Sequence, residues 1–349
     1  MPERHRPFAN HPCATKHPRL IEDAQLFLSL AIGGATRQSY TSGINSYITF
    51  SDAHGIHPAF PASIETLCLW ISSLAAPPRR LRLTTCKVYL AGVITRHTEM
   101  GFNNPLDGAP PLLDRIFAGI KRWESLTTPL SKPKLPITTA MLHAMRPHLN
   151  LSNRSDSLLW AMMWTATAGL LRISEFTLAN SRETDRSLEL RRLTLYDHGG
   201  SAIDTLSVTA ATRIKHITLH LEASKTDPFR AGVDIIIASP TAIHALTRYI
   251  DHIKRQCPPP TSPLFMFPDF VGVKRSWLMK HVSRLLSLTG YQPQHYSSHS
   301  FRKGGAVSLQ QHGVEHSIVR RIGRWKSDAF HLYVRDAAID TIIDASARL

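Results

Sequence analysis

Cysteine and long apolar runs are both scarce in this sequence of 349 residues. The four cysteines, Cys13, Cys68, Cys86 and Cys257, include no Cys-x-x-Cys pair, which argues against a disulfide scaffold or a structural zinc site and fits a reducing compartment. The longest uncharged apolar stretch, 157–171, has 15 residues, fewer than the roughly 20 that a membrane span requires. The first residues contain no apolar core typical of a secretory signal. We therefore expect an intracellular protein with no membrane partner.

Acidic residues are also in the minority. The sequence has 41 lysine and arginine residues against 26 aspartate and glutamate residues, which gives a net charge of +15. A surplus of this size makes nucleic acid the first partner to consider. The apolar fraction of 43% and the charged fraction of 19% are typical of a folded globular chain, and the length favours two domains.

Changes in composition along the chain predict four segments. Residues 1–20 are rich in proline, histidine, arginine and lysine and predict a disordered basic arm. Residues 21–126 show helical periodicity with prolines at the helix boundaries, which predicts a small all-α bundle. Residues 127–138, TTPLSKPKLPIT, contain three prolines and no apolar period, which predicts an extended linker. Residues 139–349 predict a mixed α+β domain.

The predicted domain of mixed type has one hairpin among its helices. Residues 214–222 and 233–238 have the apolar pattern of strands, and the turn-rich string ASKTDPFRAG separates them, so Lys225 is predicted near the hairpin tip. Helical patterns are predicted on both sides of this hairpin, at 139–147, 157–178, 241–256, 274–288, 299–312, 315–322 and 327–346.

Basic residues cluster in the predicted bundle and in the linker. Such clusters bind phosphate and provide affinity without a choice of sequence; an ordinary solvated helix surface is the alternative interpretation. The predicted DNA-binding residues are Arg79, Arg80, Arg82, Lys87, Lys121, Arg122, Lys132 and Lys134.

The second predicted domain contains the residue types that phosphodiester chemistry needs in the absence of a metal. Guanidinium groups hold the non-bridging oxygens, a nucleophile attacks in line, and a proton donor reaches the leaving oxygen. The strings ATAGLLRISE, SHSFRKGG and GRWKSDAFHLYVR carry these types at intervals. In chain order the candidates are Arg172, Glu175, Lys225, His299, Arg302, Trp325 and Tyr333.

This ordered series resembles the tyrosine recombinases, also called the phage integrase family. The strings SKTDPFRAG, SHSFRKGG and GRWKSDAFHLYVR look most like the recombinases of eukaryotic mobile elements, namely the DIRS-like retrotransposons and the Cryptons. The resemblance implies an N-terminal SAM-like helical bundle, the core-binding domain, followed by a mixed α+β catalytic domain. It also implies double-stranded DNA as the partner, a homotetramer on DNA, no cofactor and no metal, and a nuclear location if the host is eukaryotic.

The resemblance also implies a role for each candidate. Tyr333 attacks a scissile phosphate and forms a 3′-phosphotyrosine, while Arg172 and Arg302 stabilise the developing negative charge. Lys225 protonates the departing 5′ oxygen, and His299 takes or orients the proton of the tyrosine.

Three further assignments concern the surroundings of these groups. Glu175 is expected to orient a neighbour such as His299. The family's pattern has a histidine nine residues before its tyrosine, whereas here Arg324 lies nine and Trp325 eight residues before Tyr333. An indole N–H can donate to phosphate, so Trp325 is assigned to this role and Arg324 is the alternative.

Other functions stay open on the sequence. A DNA-binding descendant that has lost catalysis is one, and a type IB topoisomerase, which uses similar tyrosine, arginine and lysine chemistry, is another. The string His312-Gly313-Val314-Glu315-His316 also matches the H-x-x-E-H motif of some zinc proteases. Zinc binding there requires both histidines on one continuous helix, and Gly313 predicts a helix end between them.

Overall fold

The computed structural model describes most of the chain. The predicted residues Lys132, Lys225 and Tyr333 lie outside the described residues, as does the predicted helix 327–346. The described residues are residue 8 and residues 11–127, 133–178, 188–209, 212–222 and 232–325.

The chain divides into two compact units, residues 1–131 (unit 1) and 132–349 (unit 2). The elements in the described part of unit 1 are all helices. They are α1 Cys13–Lys16, α2 Pro18–Leu30, α3 Gly34–Ala53, α4 Ile64–Ala75, α5 Leu83–Glu99 and α6 Leu112–Thr127.

Helical structure in unit 1 begins earlier than residue 21. Residues 13–16 form a helix and α2 starts at Pro18, so this part of the predicted disordered arm 1–20 is helical instead. The physical reason is the position of Pro18, because the fixed φ of proline suits the first residue of a helix and the missing N–H costs nothing there.

Two helices of unit 1 touch through their backbones. A Cβ at Gly43 of α3 would lie 2.6 Å from the Cα of Tyr89, and one at Gly92 of α5 would lie 2.7 Å from the carbonyl oxygen of Tyr40. Only glycine permits this approach. The core beside this contact contains Tyr47 and Trp70, whose rings meet edge to face with centroids 5.2 Å apart.

The described part of unit 2 combines helices with one four-stranded antiparallel sheet. The strands follow the order β2-β1-β3-β4, and β3 pairs with β4 through Leu221 opposite Val233. Its elements are α7 Thr139–Met145, α8 Arg154–Ala168, α9 Ile173–Phe176, β1 Leu193–Tyr196, β2 Ala202–Ile203, β3 His216–Leu221, β4 Val233–Ile237, α10 Pro240–Ile253, α11 Arg275–Leu288, α12 Ser300–Gln311 and α13 His316–Ile322, with 3-10 turns at Arg146–His148, Leu190–Arg192, Thr205–Ser207, Lys254–Gln256 and Pro293–His295.

The predicted hairpin is confirmed, and the sheet is wider than predicted. Strands β3 and β4 lie within one or two residues of the predicted 214–222 and 233–238. Strands β1 and β2 were not predicted, since four and two residues are too few to establish a period of two.

The predicted helix 157–178 is wrong in its second half, because α8 ends at Ala168. The N–H of Leu171 donates to the Ala166 carbonyl at 3.0 Å and that of Leu170 to the Thr167 carbonyl at 3.4 Å. This is the hydrogen-bond pattern of a Schellman ending, in which the residue after the cap adopts a left-handed conformation. Leu170 occupies that position with φ of 45°, and the chain resumes helical structure only at α9.

The histidines of the H-x-x-E-H string lie on two different elements. Helix α12 ends before His312, Gly313 has φ of 76°, and α13 begins at His316. Within the described ranges, no group of three or more histidine, cysteine, aspartate and glutamate side chains is arranged to hold a metal ion. No helix in the same ranges has both the length and the apolar character needed to cross a membrane.

A buried histidine fixes the loop before α4. His97 of α5 is 1% exposed, and its Nε2 accepts a hydrogen bond from the backbone N–H of Ala62 at 2.7 Å. Its Nδ1 therefore carries the proton and donates to the carbonyl of Asn103 at 3.1 Å. Burial lowers the pKa of His97, although the hydrogen bond to Asn103 acts in the opposite direction.

His97 predicts a loss of stability on acidification. A base whose pKa is lower in the folded state stabilises the fold fully above its unfolded pKa, about 6.5, and loses that contribution as the pH falls through its folded pKa. We expect the free energy of unfolding, measured by denaturant titration, to decrease between pH 7.5 and 5.5. His97→Gln should lower stability at pH 7.5 and show a smaller decrease. His244→Gln, at an exposed position of unit 2, is the control; an equal decrease in all three proteins would contradict this role.

Candidate active site

Arg172 and Glu175 form the first part of the site, at the start of α9. The Glu175 carboxylate accepts a hydrogen bond from the backbone N–H of Arg172 at 2.8 Å and another from its Nη1 at 3.0 Å. Their side chains are 15% and 5% exposed. One carboxylate therefore fixes both the backbone and the guanidinium of Arg172.

Arg324, which follows α13, binds the same carboxylate. Its Nη1 and Nη2 donate to the two oxygens of Glu175 at 3.0 and 2.9 Å, the two-pronged geometry that only arginine provides. Burial alone raises the pKa of Glu175, but Arg324 first and Arg172 second outweigh it, so the net pKa lies below the ordinary value. Glu175 is therefore a buried carboxylate held in its ionised form.

Arg302, in the first turn of α12, is 2% exposed. Its Nη1 donates to the carbonyl of Leu170 at 2.5 Å, and its Nη2 donates to the carbonyl of Gly323. The Leu170 carbonyl also accepts from Nη2 of Arg324 at 3.3 Å. Arg172, Arg302 and Arg324 thus belong to one hydrogen-bonded network with Glu175, and their combined charge suits an oxyanion.

The glycine pair of SHSFRKGG brings α12 to this network. A Cβ at Gly304 would overlap the carbonyl of Ile137, and a Cβ at Gly305 would overlap the carbonyl of Thr167 and the side chain of Leu170. Helix α12 therefore packs with its backbone against the segment before α7 and against the end of α8. This close packing places Arg302 within hydrogen-bond distance of Leu170.

Trp325 covers Arg302. The Arg302 guanidinium carbon lies 4.6 Å from the centroid of the indole, a cation–π distance. The indole also lies against Gly323, where a Cβ would overlap it. The two candidates for the second histidine position consequently differ in their contacts: Arg324 binds Glu175, and Trp325 stacks on Arg302.

Two further residues of the SHSFRKGG string have contrasting environments. His299 is exposed and immediately precedes α12, one turn before Arg302. Lys303 is 8% exposed, and its Nζ donates to the carbonyl of Lys134 at 3.4 Å. The Lys134 side chain is exposed, and its Nζ donates to the carbonyl of Gln294 at 2.5 Å.

The predicted basic residues of unit 1 lie at its surface. Arg79 donates to the hydroxyl of Ser46 at 3.2 Å, and Lys87 lies 5.0 Å from the ring centroid of Phe117. The full exposed set comprises Arg79, Arg80, Arg82 and Lys87 around the start of α5, and Lys121 and Arg122 on α6.

Helix α11 carries a basic surface that is not among the predicted DNA-binding residues. Lys274, Arg275, Lys280 and Arg284 are exposed, and residues 274–288 contain no acidic residue. The absence of acid along a predicted helix was the signal that could have identified this surface, because a helix that carries charge of one sign has no partners of its own and favours a polyanion.

Comparison with known proteins reveals relatives at the level of structure. No family model matches the chain, and no curated protein matches it. A XerH site-specific recombinase bound to a palindromic difH substrate, in a post-cleavage complex, has a TM-score of 0.54 and 13% identity and covers 87% of this chain and 79% of its own. The same recombinase bound to difH substrate in a pre-cleavage complex has a TM-score of 0.52 and 15% identity, and the match covers 85% of this chain and 78% of the recombinase chain. The Tn1549 transposon integrase in complex with transposon right end DNA has a TM-score of 0.50 and 14% identity, and the match covers 90% of this chain and 99% of the integrase chain.

These likenesses define the fold. The described part of the chain, helix-rich with one small antiparallel sheet, has the fold of the XerH recombinase and the Tn1549 integrase structures, which agrees with the sequence prediction in this coarser form. Because the sequence identities are only 13–15%, these structural likenesses show the fold and nothing further.

Gly305 provides a test of the packing that positions Arg302. Gly305→Ala should lower the free energy of unfolding by about 1–3 kcal/mol, because the added methyl overlaps the backbone of α8. Gly119→Ala in α6 is the matched control, since a Cβ there meets nothing within 4 Å, and it should raise stability by about 0.5–1 kcal/mol. Denaturant titration measures both. Equal effects of the two substitutions would contradict the close approach at Gly305.

Proposed function

We propose that this protein is a DNA recombinase or integrase that cleaves and rejoins DNA strands through a covalent tyrosine intermediate. Its substrate is double-stranded DNA. The proposal is supported by the fold, by the net charge of +15, and by relatives of the same fold whose structures contain DNA.

The observation that carries the proposal is the joining of Arg172 and Arg302 in one network. They are 130 residues apart in sequence, and each contacts a group that Arg324 also contacts, Glu175 for Arg172 and the Leu170 carbonyl for Arg302. Guanidinium groups that the fold already holds in one network concentrate positive charge at the place where negative charge would develop.

The chemistry follows from the assigned roles. The phenolic oxygen of Tyr333 attacks the scissile phosphorus, and the bond from phosphorus to the 5′ oxygen breaks. The products are a 3′-phosphotyrosine and a free 5′ hydroxyl, whose proton comes from Lys225. His299 receives the phenolic proton, for which its exposed position one turn before Arg302 is suited. A 5′ hydroxyl from another strand reverses the attack, so that bond energy is conserved and the reaction needs neither cofactor nor metal.

Trp325 stacks on Arg302 in the structure and is also assigned a hydrogen bond to the phosphate during the reaction. In the structure its indole lies over the guanidinium of Arg302, whose two Nη atoms are bound to carbonyls. A phosphate would therefore have to displace part of these contacts before both Arg302 and Trp325 donate to it. We assign that rearrangement to DNA binding.

The finer assignments belong to the same proposal. Unit 1 acts as the core-binding domain, and the protein assembles as a tetramer on DNA because recombination joins two duplexes. The enzyme serves a mobile element of the DIRS-like or Crypton type and acts in the nucleus if the host is eukaryotic. The exposed basic face of α11 adds to the predicted DNA contacts.

Cleavage can be tested with substrates that trap the covalent intermediate. Nicked duplexes from a random-sequence pool are incubated with purified protein in EDTA and separated on a denaturing gel. We expect a covalent protein–DNA band with the wild type and none with Tyr333→Phe, which loses the attacking oxygen and still binds DNA. Tyr291→Phe makes the same chemical change at an exposed tyrosine and should retain the band.

The other outcomes discriminate the alternatives. A band that persists in Tyr333→Phe would exclude Tyr333 as the nucleophile. Salt-sensitive DNA binding without any band would favour a descendant that has lost catalysis. A band accompanied by relaxation of supercoils, with no exchange between duplexes, would favour a type IB topoisomerase.

The basic cluster at the start of α5 predicts a measurable salt dependence. Replacement of Arg79, Arg82 and Lys87 by glutamine should weaken binding to all sequences alike. The slope of log K against log salt concentration is negative, and its magnitude should decrease by about 0.9 for each phosphate that the variant no longer neutralises. Arg191→Gln, whose guanidinium is paired with Glu189 at 2.5 Å, is the control. An unchanged slope in the triple variant would mark the cluster as ordinary solvated surface.

A further inference from the structure

Arg324 donates to both carboxylate oxygens of Glu175, which Arg172 also contacts. Each carboxylate oxygen accepts from two arginines: Oε1 from Nη1 of Arg172 and Nη1 of Arg324, and Oε2 from the backbone N–H of Arg172 and Nη2 of Arg324. The Arg324 side chain is 11% exposed, and Glu175 is 5% exposed. Both Nη atoms of Arg324 are thus directed at this carboxylate, Nη2 also donates to the Leu170 carbonyl, and Nε is buried without a hydrogen-bond partner among the described residues.

Glu175 alone would be a poor support for Arg172. A buried carboxylate with a single arginine partner takes up a proton more readily, because burial disfavours its charge, and a protonated Glu175 would hold Arg172 less firmly. A scissile phosphate competes with Glu175 for the guanidinium of Arg172. A second arginine that stays on the carboxylate compensates its charge while Arg172 turns its remaining N–H groups to the phosphate.

From these contacts we propose that Arg324 is a positioning residue that acts through Glu175 on Arg172, and not a donor to the DNA. This inference rests on the proposed function. It assigns to the arginine at the second histidine position a role that differs from direct phosphate contact. The role needs the planar fork of arginine, because a lysine ammonium is a point charge that does not span both oxygens of a carboxylate.

A double-mutant cycle tests this path of action. Single-turnover cleavage of a nicked substrate at saturating protein is compared among the wild type, Arg324→Met, Glu175→Gln and the double variant. We expect each single variant to cleave about tenfold more slowly or worse, and the double variant to be no slower than the slower single one, because both substitutions remove the same support. Arg321→Met, an exposed arginine of α13, is the matched control and should cleave at the wild-type rate.

The opposite result is equally clear. If Arg324→Met slows cleavage by the same factor in the wild-type and Glu175→Gln backgrounds, Arg324 acts on DNA directly and the inference is overturned. Arg324→Lys is the second variant, in case the methionine variant does not fold. Arg324→Lys should lower the cleavage rate in the wild-type background and leave it unchanged in the Glu175→Gln background.

A measurement without DNA separates this inference from the proposed function. Phenylglyoxal modifies accessible arginines, and mass spectrometry quantifies the adduct at Arg172. We expect several-fold more adduct in Arg324→Met and in Glu175→Gln than in the wild type and Arg321→Met, because Arg172 is released. A wild type that forms no covalent DNA band contradicts the proposed function, whereas equal Arg172 adduct in all proteins overturns the positioning role.

Discussion

The carbonyl of Leu170 joins the two halves of the candidate site. It accepts from Arg302 on α12 and from Arg324 after α13, while Arg172 follows it by two residues. It points toward these groups because Leu170 has a left-handed backbone at the end of α8. For a leucine this conformation costs about 1–2 kcal/mol, which is offset by burial of its side chain against Ala306 and Val319.

The site also separates two uses of positive charge. Arg302 is buried, the Arg172 and Arg324 side chains are 15% and 11% exposed, and all three point at a carboxylate or at carbonyls, so that their geometry is set by the protein. The basic residues of α5 and α11 are exposed, and their charge is available to any polyanion. The first arrangement suits chemistry at one phosphate, and the second suits affinity along a DNA backbone.

The sequence predicted the large elements well, because their apolar periods are long. It predicted the hairpin between β3 and β4. It did not predict the end of α8 at Ala168, where the structure places Leu170 in the left-handed conformation. Packing of Leu170 against α12 decides this, and such a tertiary contact has no local signal.

The adjacent residues Arg324 and Trp325 illustrate the same limit. Spacing from Tyr333 places them one residue apart and gives no means to choose between them. Their different partners, Glu175 and Arg302, come from elements 149 and 23 residues away in the chain. The partners of a side chain follow from the fold, whereas a motif records only its position along the chain.

Gly304 and Gly305 have a consequence for how this protein can vary. Helix α12 meets its neighbours backbone to backbone at these two residues, and a backbone contact has no rotamers to adjust. Substitutions elsewhere in the core can exchange one apolar side chain for another while this contact stays the same. The position of Arg302 therefore depends little on which apolar side chains fill the surrounding core. Related sequences can differ at most positions and still keep this site, provided that the two glycines remain.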